Sequence, residues 1–168
     1  MKTLYFVRHA KSSWKDSSLS DRDRPLNSRG KRDAPNMAQF LSNKVECPDT
    51  FICSPSRRTL DTASHFLKAF GVSESDLDTK EKLYHGGESA FESIIQSLND
   101  NLTSAMLFAH NPGITDYVNE LTQSDIWNIP TCGMAGIKID THNWKNIGKA
   151  NAELLFYYYP KGLDLHTQ

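Results

Sequence analysis

The 168 residues carry 19 Lys and Arg against 20 Asp and Glu, which gives a formal net charge of -1 at pH 7. This balance argues against a nucleic-acid binder, and the length predicts a single domain over residues 1–168. The cysteines lack CxxC spacing, and no apolar run is long enough for a signal peptide or a membrane span. We therefore expect a cytoplasmic protein, most simply a monomer, that contacts neither nucleic acid nor membrane.

Short apolar runs alternate with helical patterns along the chain. Five such runs predict strands: 3–7, 49–53, 104–109, 134–139 and 153–159. Apolar residues at helical spacing predict four helices, which begin at Asn27 or Ser28, at Ser54, at Ser89 and at Ile114. The alternation favours an α/β fold, a three-layer α/β/α sandwich with a mostly parallel central sheet.

Local signals refine the helix ends. Ser54-Pro55 has the signature of an N-cap followed by proline at the first helical position, and Gly71 ends that helix. Ser89 and Glu92 have the spacing of a capping box. The segment 72–88 is predicted to be irregular.

Basic and imidazole side chains follow three of the predicted strands. Arg8-His9 closes the first strand, the segment "SPSRR" (54–58) follows the second, and His110 follows the third. Ligands of open α/β sheets bind beyond the carboxyl ends of the strands, so these groups are expected to meet in one pocket. Guanidinium groups together with a helix N-terminus favour a phosphoryl group as the occupant.

Three motifs carry a resemblance to the histidine phosphatase superfamily: "RHA" (8–10), "SPSRRTLDTA" (54–63) and "HNPG" (110–113). The segments "RHAKSSW", "DRPLNSRG" and "LFAHNPG" are similar to the SixA-type phosphohistidine phosphatases. The resemblance implies a phosphoglycerate mutase-like fold and a phosphatase with a histidine nucleophile. It also implies a phosphorylated substrate, either a phosphohistidine-bearing protein or a small molecule.

The resemblance implies a role for each matched residue. His9 is the nucleophile that becomes phosphohistidine, and Arg8 and Arg58 bind the phosphoryl oxygens. His110 is the second imidazole at those oxygens. Arg57 is the alternative to Arg58.

Many members of the superfamily use a carboxylate to protonate the leaving group, and Glu88 in "HGGES" is the possible acid here. Ser89 and Glu92 already explain that stretch as a helix cap. A site without an acid suits the N–P bond, because imidazole leaves more easily than an alkoxide. We therefore predict a protein phosphohistidine phosphatase. A small-molecule phosphomonoesterase and a non-catalytic phospho-dependent binding module are the alternatives.

Other phosphatase chemistries fit less well. Neither Cys47 nor Cys53 has Arg six positions later, and Asp21-Arg22-Asp23 lies in a polar loop, where it is interpreted as solvated charge. No cluster of residues has metal-ligand spacing, so we predict activity without a metal or other cofactor. The remaining histidines have no motif partner and are interpreted as structural or exposed: His65, His85, His142 and His166.

Overall fold

The structure is a computed structural model, and it describes residues 1–163; His166 lies outside the described residues. Its strands are β1 (Lys2–Arg8), β2 (Thr50–Cys53), β3 (Leu77–Thr79), β4 (Ser104–Ala109), β5 (Met134–Ile139) and β6 (Ala152–Tyr158). Its helices are α1 (Ser28–Ser42), α2 (Arg57–Phe70), α3 (Glu88–Gln96), α4 (Gly113–Thr122) and α5 (Pro160–Leu163). No helix within residues 1–163 is long and apolar enough to cross a membrane.

The strands form one six-stranded sheet in the order β3-β2-β4-β1-β5-β6. The first four strands of this order are parallel, whereas β5 runs antiparallel to β1 and β6 runs antiparallel to β5. The predicted α/β class and mostly parallel sheet are confirmed.

Both faces of the sheet are covered, which explains why β1 is a continuous apolar run. Phe6 packs against Phe91 of α3 and Tyr117 of α4 on one face, with 5.8 Å between ring centroids in each pair. Val7 joins the cluster on the opposite face, which includes Met37 of α1. Successive residues of the same strand therefore pack against two different helical layers.

The five predicted strands are confirmed to within two residues, but the prediction that 72–88 is irregular is wrong at β3. This strand has only three residues, pairs with β2 and lies at the sheet edge. Asp78 and Thr79 are exposed, so β3 produces no apolar run that the sequence could reveal.

Two predicted helix starts are wrong. Helix α2 begins at Arg57 with Ser56 as its N-cap, two residues after the predicted cap. Helix α3 begins at Glu88 with Gly87 as its N-cap, so the capping box of Ser89 does not form. The end of α2 is confirmed, because Gly71 is its C-cap with φ 71° in the left-handed region.

Candidate active site

The carboxyl ends of β1, β2 and β4 lie at one edge of the sheet because these strands are parallel neighbours. A cavity of about 200 Å³ opens at this edge. Its inner wall, as we name it, is formed by Arg8, His9, Arg58 and His110. The structure thus brings together four of the residues that the motifs predicted as the site.

The ring of His9 is held in one orientation. Its Nδ1 lies 2.8 Å from the carbonyl oxygen of Ala10. A carbonyl can only accept a hydrogen bond, so Nδ1 carries the proton and Nε2 keeps its lone pair. Burial, together with the nearby Arg58 and Arg8, lowers the pKa of His9 to about 3, although the bond to Ala10 raises it. At neutral pH, His9 therefore has an unprotonated Nε2.

Thr62 connects the His9 strand end to α2. The Ala10 amide donates a 2.9 Å hydrogen bond to Thr62 Oγ1, and that hydroxyl donates to the Arg58 carbonyl at 2.7 Å. Thr62 follows Arg58 by one helical turn, which is why a threonine at this spacing can join the two motifs.

The structure separates the two candidate arginines. Arg58 is 4% exposed and lines the cavity, with Nη1 donating to the Asp21 carbonyl at 2.6 Å and Nη2 to Asp21 Oδ2 at 3.1 Å. Arg57 is exposed and forms a surface ion pair with Asp61 at 3.8 Å. Arg58 is therefore the arginine placed to meet a ligand.

Arg8 is fixed from the loop before β5. Its Nη1 donates to the Ile129 carbonyl at 2.9 Å, and Asn111 Nδ2 donates to the same oxygen at 2.9 Å. Burial lowers the pKa of Arg8, but a guanidinium stays charged in proteins.

The Nε atoms of Arg8 and Arg58 are buried and have no hydrogen-bond partner within the described residues. An unsatisfied buried donor costs on the order of 1–3 kcal/mol, and more when it is charged. Two such donors beside one cavity indicate an anion site.

His110 is the second imidazole of the inner wall. Its ring centroid lies 5.2 Å from that of His9, and its Nε2 lies 2.7 Å from Ser54 Oγ. Burial, together with the nearby His9 and Arg58, lowers the pKa of His110 to about 3. Ser54 was predicted as a helix cap, but its hydroxyl contacts His110 instead.

Asp21 was interpreted as solvated charge, yet it organises one side of the cavity. Its carboxylate accepts hydrogen bonds from Tyr84 Oη at 2.7 Å, Arg24 Nη2 at 2.9 Å and Arg58 Nη2 at 3.1 Å. Burial opposes ionisation, but these bonds hold the pKa of Asp21 well below its ordinary value. No local sequence pattern indicates this role, because the partners lie up to 63 residues away.

We name the outer part of the cavity, formed by Trp14, Arg24 and His85, the mouth. The Arg24 guanidinium lies 3.5 Å from the Trp14 ring centroid and donates to Ser12 Oγ at 2.9 Å. Trp14 is 73% exposed, so the mouth has an aromatic rim in contact with solvent.

The structure does not bring Glu88 into the cavity. Glu88 is exposed at the first position of α3 and is not among the lining residues. His85 of the same segment lines the cavity instead, although it was interpreted as structural or exposed because it has no motif partner. Within residues 1–163, no group of three or more His, Cys, Asp and Glu side chains could hold a metal ion.

Comparison with known proteins places the site in a family. Residues 4–85 match the model of the histidine phosphatase superfamily, branch 1. Over this range the resemblance to that superfamily, which the motifs predicted, is confirmed. The match covers Arg8, His9 and Arg58 and extends to His85, and it supports a phosphatase.

Relatives span most of the chain. An uncharacterized chloroplastic protein of Arabidopsis thaliana is 29% identical over 158 residues, 84% of this chain and 68% of the relative. An uncharacterized protein of Mycobacterium leprae is 27% identical over 167 residues, 92% of this chain and 100% of the relative.

Solved structures share the fold. The protein histidine phosphatase SixA, solved with tungstate, superposes with a TM-score of 0.81 at 20% identity, over 96% of this chain and 99% of SixA. A mycobacterial glucosyl-3-phosphoglycerate phosphatase, solved with VO3, superposes with a TM-score of 0.72 at 13% identity, over 93% of this chain and 98% of that one. At these identities the likeness is one of fold.

Proposed function

We propose that this phosphatase removes phosphoryl groups from protein histidine side chains, without a metal, through a phosphohistidine intermediate on His9. One observation carries the proposal: His9, whose Nδ1 is bonded to the Ala10 carbonyl so that Nε2 is left free, lines the same cavity as two buried guanidinium groups with unpartnered Nε donors. A nucleophile and an anion site are thereby combined in one small volume.

In the first step, His9 Nε2 attacks phosphorus and a new P–N bond forms. The P–N bond of the substrate breaks, and its imidazole, protonated on the other ring nitrogen, leaves as the neutral ring. Charge on the equatorial oxygens is stabilised by Arg8 and Arg58. His110 contributes a third contact: an anion between the cations opposes the effects that lower its pKa, and the protonated ring can then donate from Nδ1 to a phosphoryl oxygen and from Nε2 to Ser54 Oγ.

In the second step, water attacks the phosphorus of phosphorylated His9, and inorganic phosphate leaves. The P–N bond breaks, and its electron pair returns to Nε2. The Ala10 carbonyl keeps the Nδ1 proton in place, so the ring regains its starting tautomer.

The lining of the cavity supports an N–P substrate. None of its described residues is an Asp or Glu. Without a carboxyl group to protonate the leaving oxygen, an ester would have to release an alkoxide, whose conjugate acid is about as weak as water, with a pKa of ~15.7. A phosphorylated imidazole can carry a proton on its other ring nitrogen and then leaves as neutral imidazole, whose conjugate acid has a pKa of about 6.5. The fold likeness to SixA points the same way.

The test compares three substrates in the presence of EDTA: a protein phosphohistidine, a phosphoserine peptide and a sugar phosphate. We expect EDTA-resistant hydrolysis of the phosphohistidine in preference to both esters, and its loss in His9→Ala. Faster hydrolysis of the esters would overturn the substrate class, and inhibition by EDTA would overturn metal independence. Phosphate binding without any turnover would favour the binding module.

A sugar or other small phosphomonoester is the second candidate. The fold likeness to glucosyl-3-phosphoglycerate phosphatase favours it, together with the cationic groups of Lys11 and Arg24 beside the cavity. An ester substrate requires a proton donor, so this candidate predicts that Glu88→Gln slows ester hydrolysis by about 10²-fold. Unchanged ester hydrolysis in that variant removes Glu88 as the acid.

A further inference from the structure

His85 stands at the mouth of the cavity, above the inner wall. Its ring centroid lies 6.0 Å from that of His110 and 4.1 Å from that of Tyr84. Its Nε2 lies 3.6 Å from Asp21 Oδ2, while the side chain is 64% exposed. His85 therefore contacts a fixed carboxylate on one edge and faces solvent with much of its ring.

The backbone holds His85 in this place. A Cβ on Gly113 would lie 2.1 Å from the Gly86 carbonyl oxygen, so only glycine at position 113 permits this close approach of the two loops. The contact joins the loop of His85 to the loop that carries His110. His85 itself has φ 57°, a left-handed conformation that is uncommon for residues other than glycine. Such backbone geometry persists where the surrounding structure enforces it, often at functional sites.

We propose that His85 is the proton donor to the leaving group and the proton acceptor for the attacking water, an inference that rests on the proposed phosphohistidine activity. In the first step, the protonated ring of His85 gives its proton to the leaving imidazole. At the same time the P–N bond of the substrate breaks, and phosphorus bonds to His9 Nε2. In the second step, neutral His85 takes a proton from the water that attacks phosphorylated His9. His85 ends in its starting state, and one water is consumed for each phosphate released.

The position of His85 fits an N–P bond better than an ester. When the imidazole of the substrate leaves phosphorus, a proton on its other ring nitrogen lets it depart as the neutral ring. That nitrogen lies across the ring from phosphorus and therefore closer to the mouth. The bridging oxygen of an ester lies next to phosphorus, deeper in the cavity. Nδ1 of His85 makes no hydrogen bond within the described residues, and we assign the proton transfer to it because Nε2 faces Asp21.

The test uses His85→Asn, because asparagine tolerates the left-handed conformation but cannot transfer the proton. His142→Asn is the matched control, since His142 is exposed and lies outside the cavity lining. Two small substrates are compared: phosphoimidazole, and 1-methyl-3-phosphoimidazolium, whose second ring nitrogen carries a methyl group and a fixed positive charge. The methylated ring leaves as neutral N-methylimidazole without receiving a proton.

We expect kcat/KM of His85→Asn on phosphoimidazole to fall by about 10²-fold, which is the usual contribution of a general acid. On the methylated substrate the first step no longer needs the proton, so burst kinetics should show phosphorylation of His9 at the rate of the unsubstituted enzyme. His142→Asn should match the unsubstituted enzyme on both substrates. Equal losses on the two substrates in the burst phase, or no loss on either, would overturn the role of His85. Failure of the unsubstituted enzyme to hydrolyse either phosphoramidate would instead refute the proposed function.

Discussion

The inner wall of the cavity comes from the carboxyl ends of adjacent parallel strands, whereas the mouth comes from two loops that are distant in sequence. At the end of β1, His9 and Arg8 of the inner wall are held by backbone groups, the Ala10 carbonyl and the Ile129 carbonyl. Residues of the mouth are held by side chains, above all the carboxylate of Asp21. The backbone therefore positions the groups expected to contact the phosphoryl group at the end of β1, whereas side chains, which substitution can change, position the mouth.

The largest effect is expected at the centre of the inner wall. His9→Gln should lower kcat by at least about 10³-fold, because the amide cannot replace the nucleophilic ring nitrogen. Phosphate binding, followed by calorimetry, should persist because Arg8 and Arg58 remain. Turnover that survives in His9→Gln would contradict the nucleophile assignment.

A second prediction contrasts two neighbouring arginines. Arg58→Ala should lower kcat/KM by about 10²–10³-fold, since it removes a buried donor aimed at the phosphoryl site. Arg57→Ala removes only a surface ion pair with Asp61 and should change kcat/KM less than about twofold. Similar losses in the two variants would mean that the buried position of Arg58 is not what matters.

Protonation of the inner wall should limit stability in acid. The pKa values of His9 and His110 are lowered to about 3 in the folded protein, so between their ordinary value of 6.5 and that point the unfolded chain binds more protons. The free energy of unfolding should therefore fall as pH is lowered through this window. Urea unfolding at a series of pH values gives the slope of the unfolding free energy against pH. In His9→Gln this slope should be smaller, by an amount that corresponds to up to about one bound proton. An identical slope would contradict the neutral buried ring of His9.

The smallest effect is expected at the rim of the mouth. Trp14→Ala should raise KM for a phosphohistidine protein by about tenfold and leave hydrolysis of phosphoimidazole nearly unchanged, because exposed aromatic residues often anchor protein partners. Trp127→Ala is the control, since Trp127 is 96% exposed and does not line the cavity. Equal effects of Trp14→Ala on the two substrates would show that Trp14 supports Arg24 and not protein binding.

The amino-acid pattern alone predicted the α/β class, the mostly parallel sheet and most residues of the inner wall. Continuous apolar runs are typical of strands covered on both faces, and Arg8, His9 and His110 follow such strands directly. A local pattern suffices there, because parallel strands bring their carboxyl ends to one edge wherever the chain places them.

The residues that form and support the mouth could be found only from the tertiary structure. Asp21 meets Arg58 and Tyr84 from 37 and 63 residues away, and His85 reaches the cavity because Gly113 permits a close approach of two loops. Such contacts depend on loop paths that follow no periodic pattern. The sequence therefore predicted only a polar loop around Asp21 and an irregular segment around His85. The choice of Arg58 over Arg57 was settled in the same way. Two adjacent residues of one helix differ by about 100° in direction, and only the packed structure shows which of them faces the cavity.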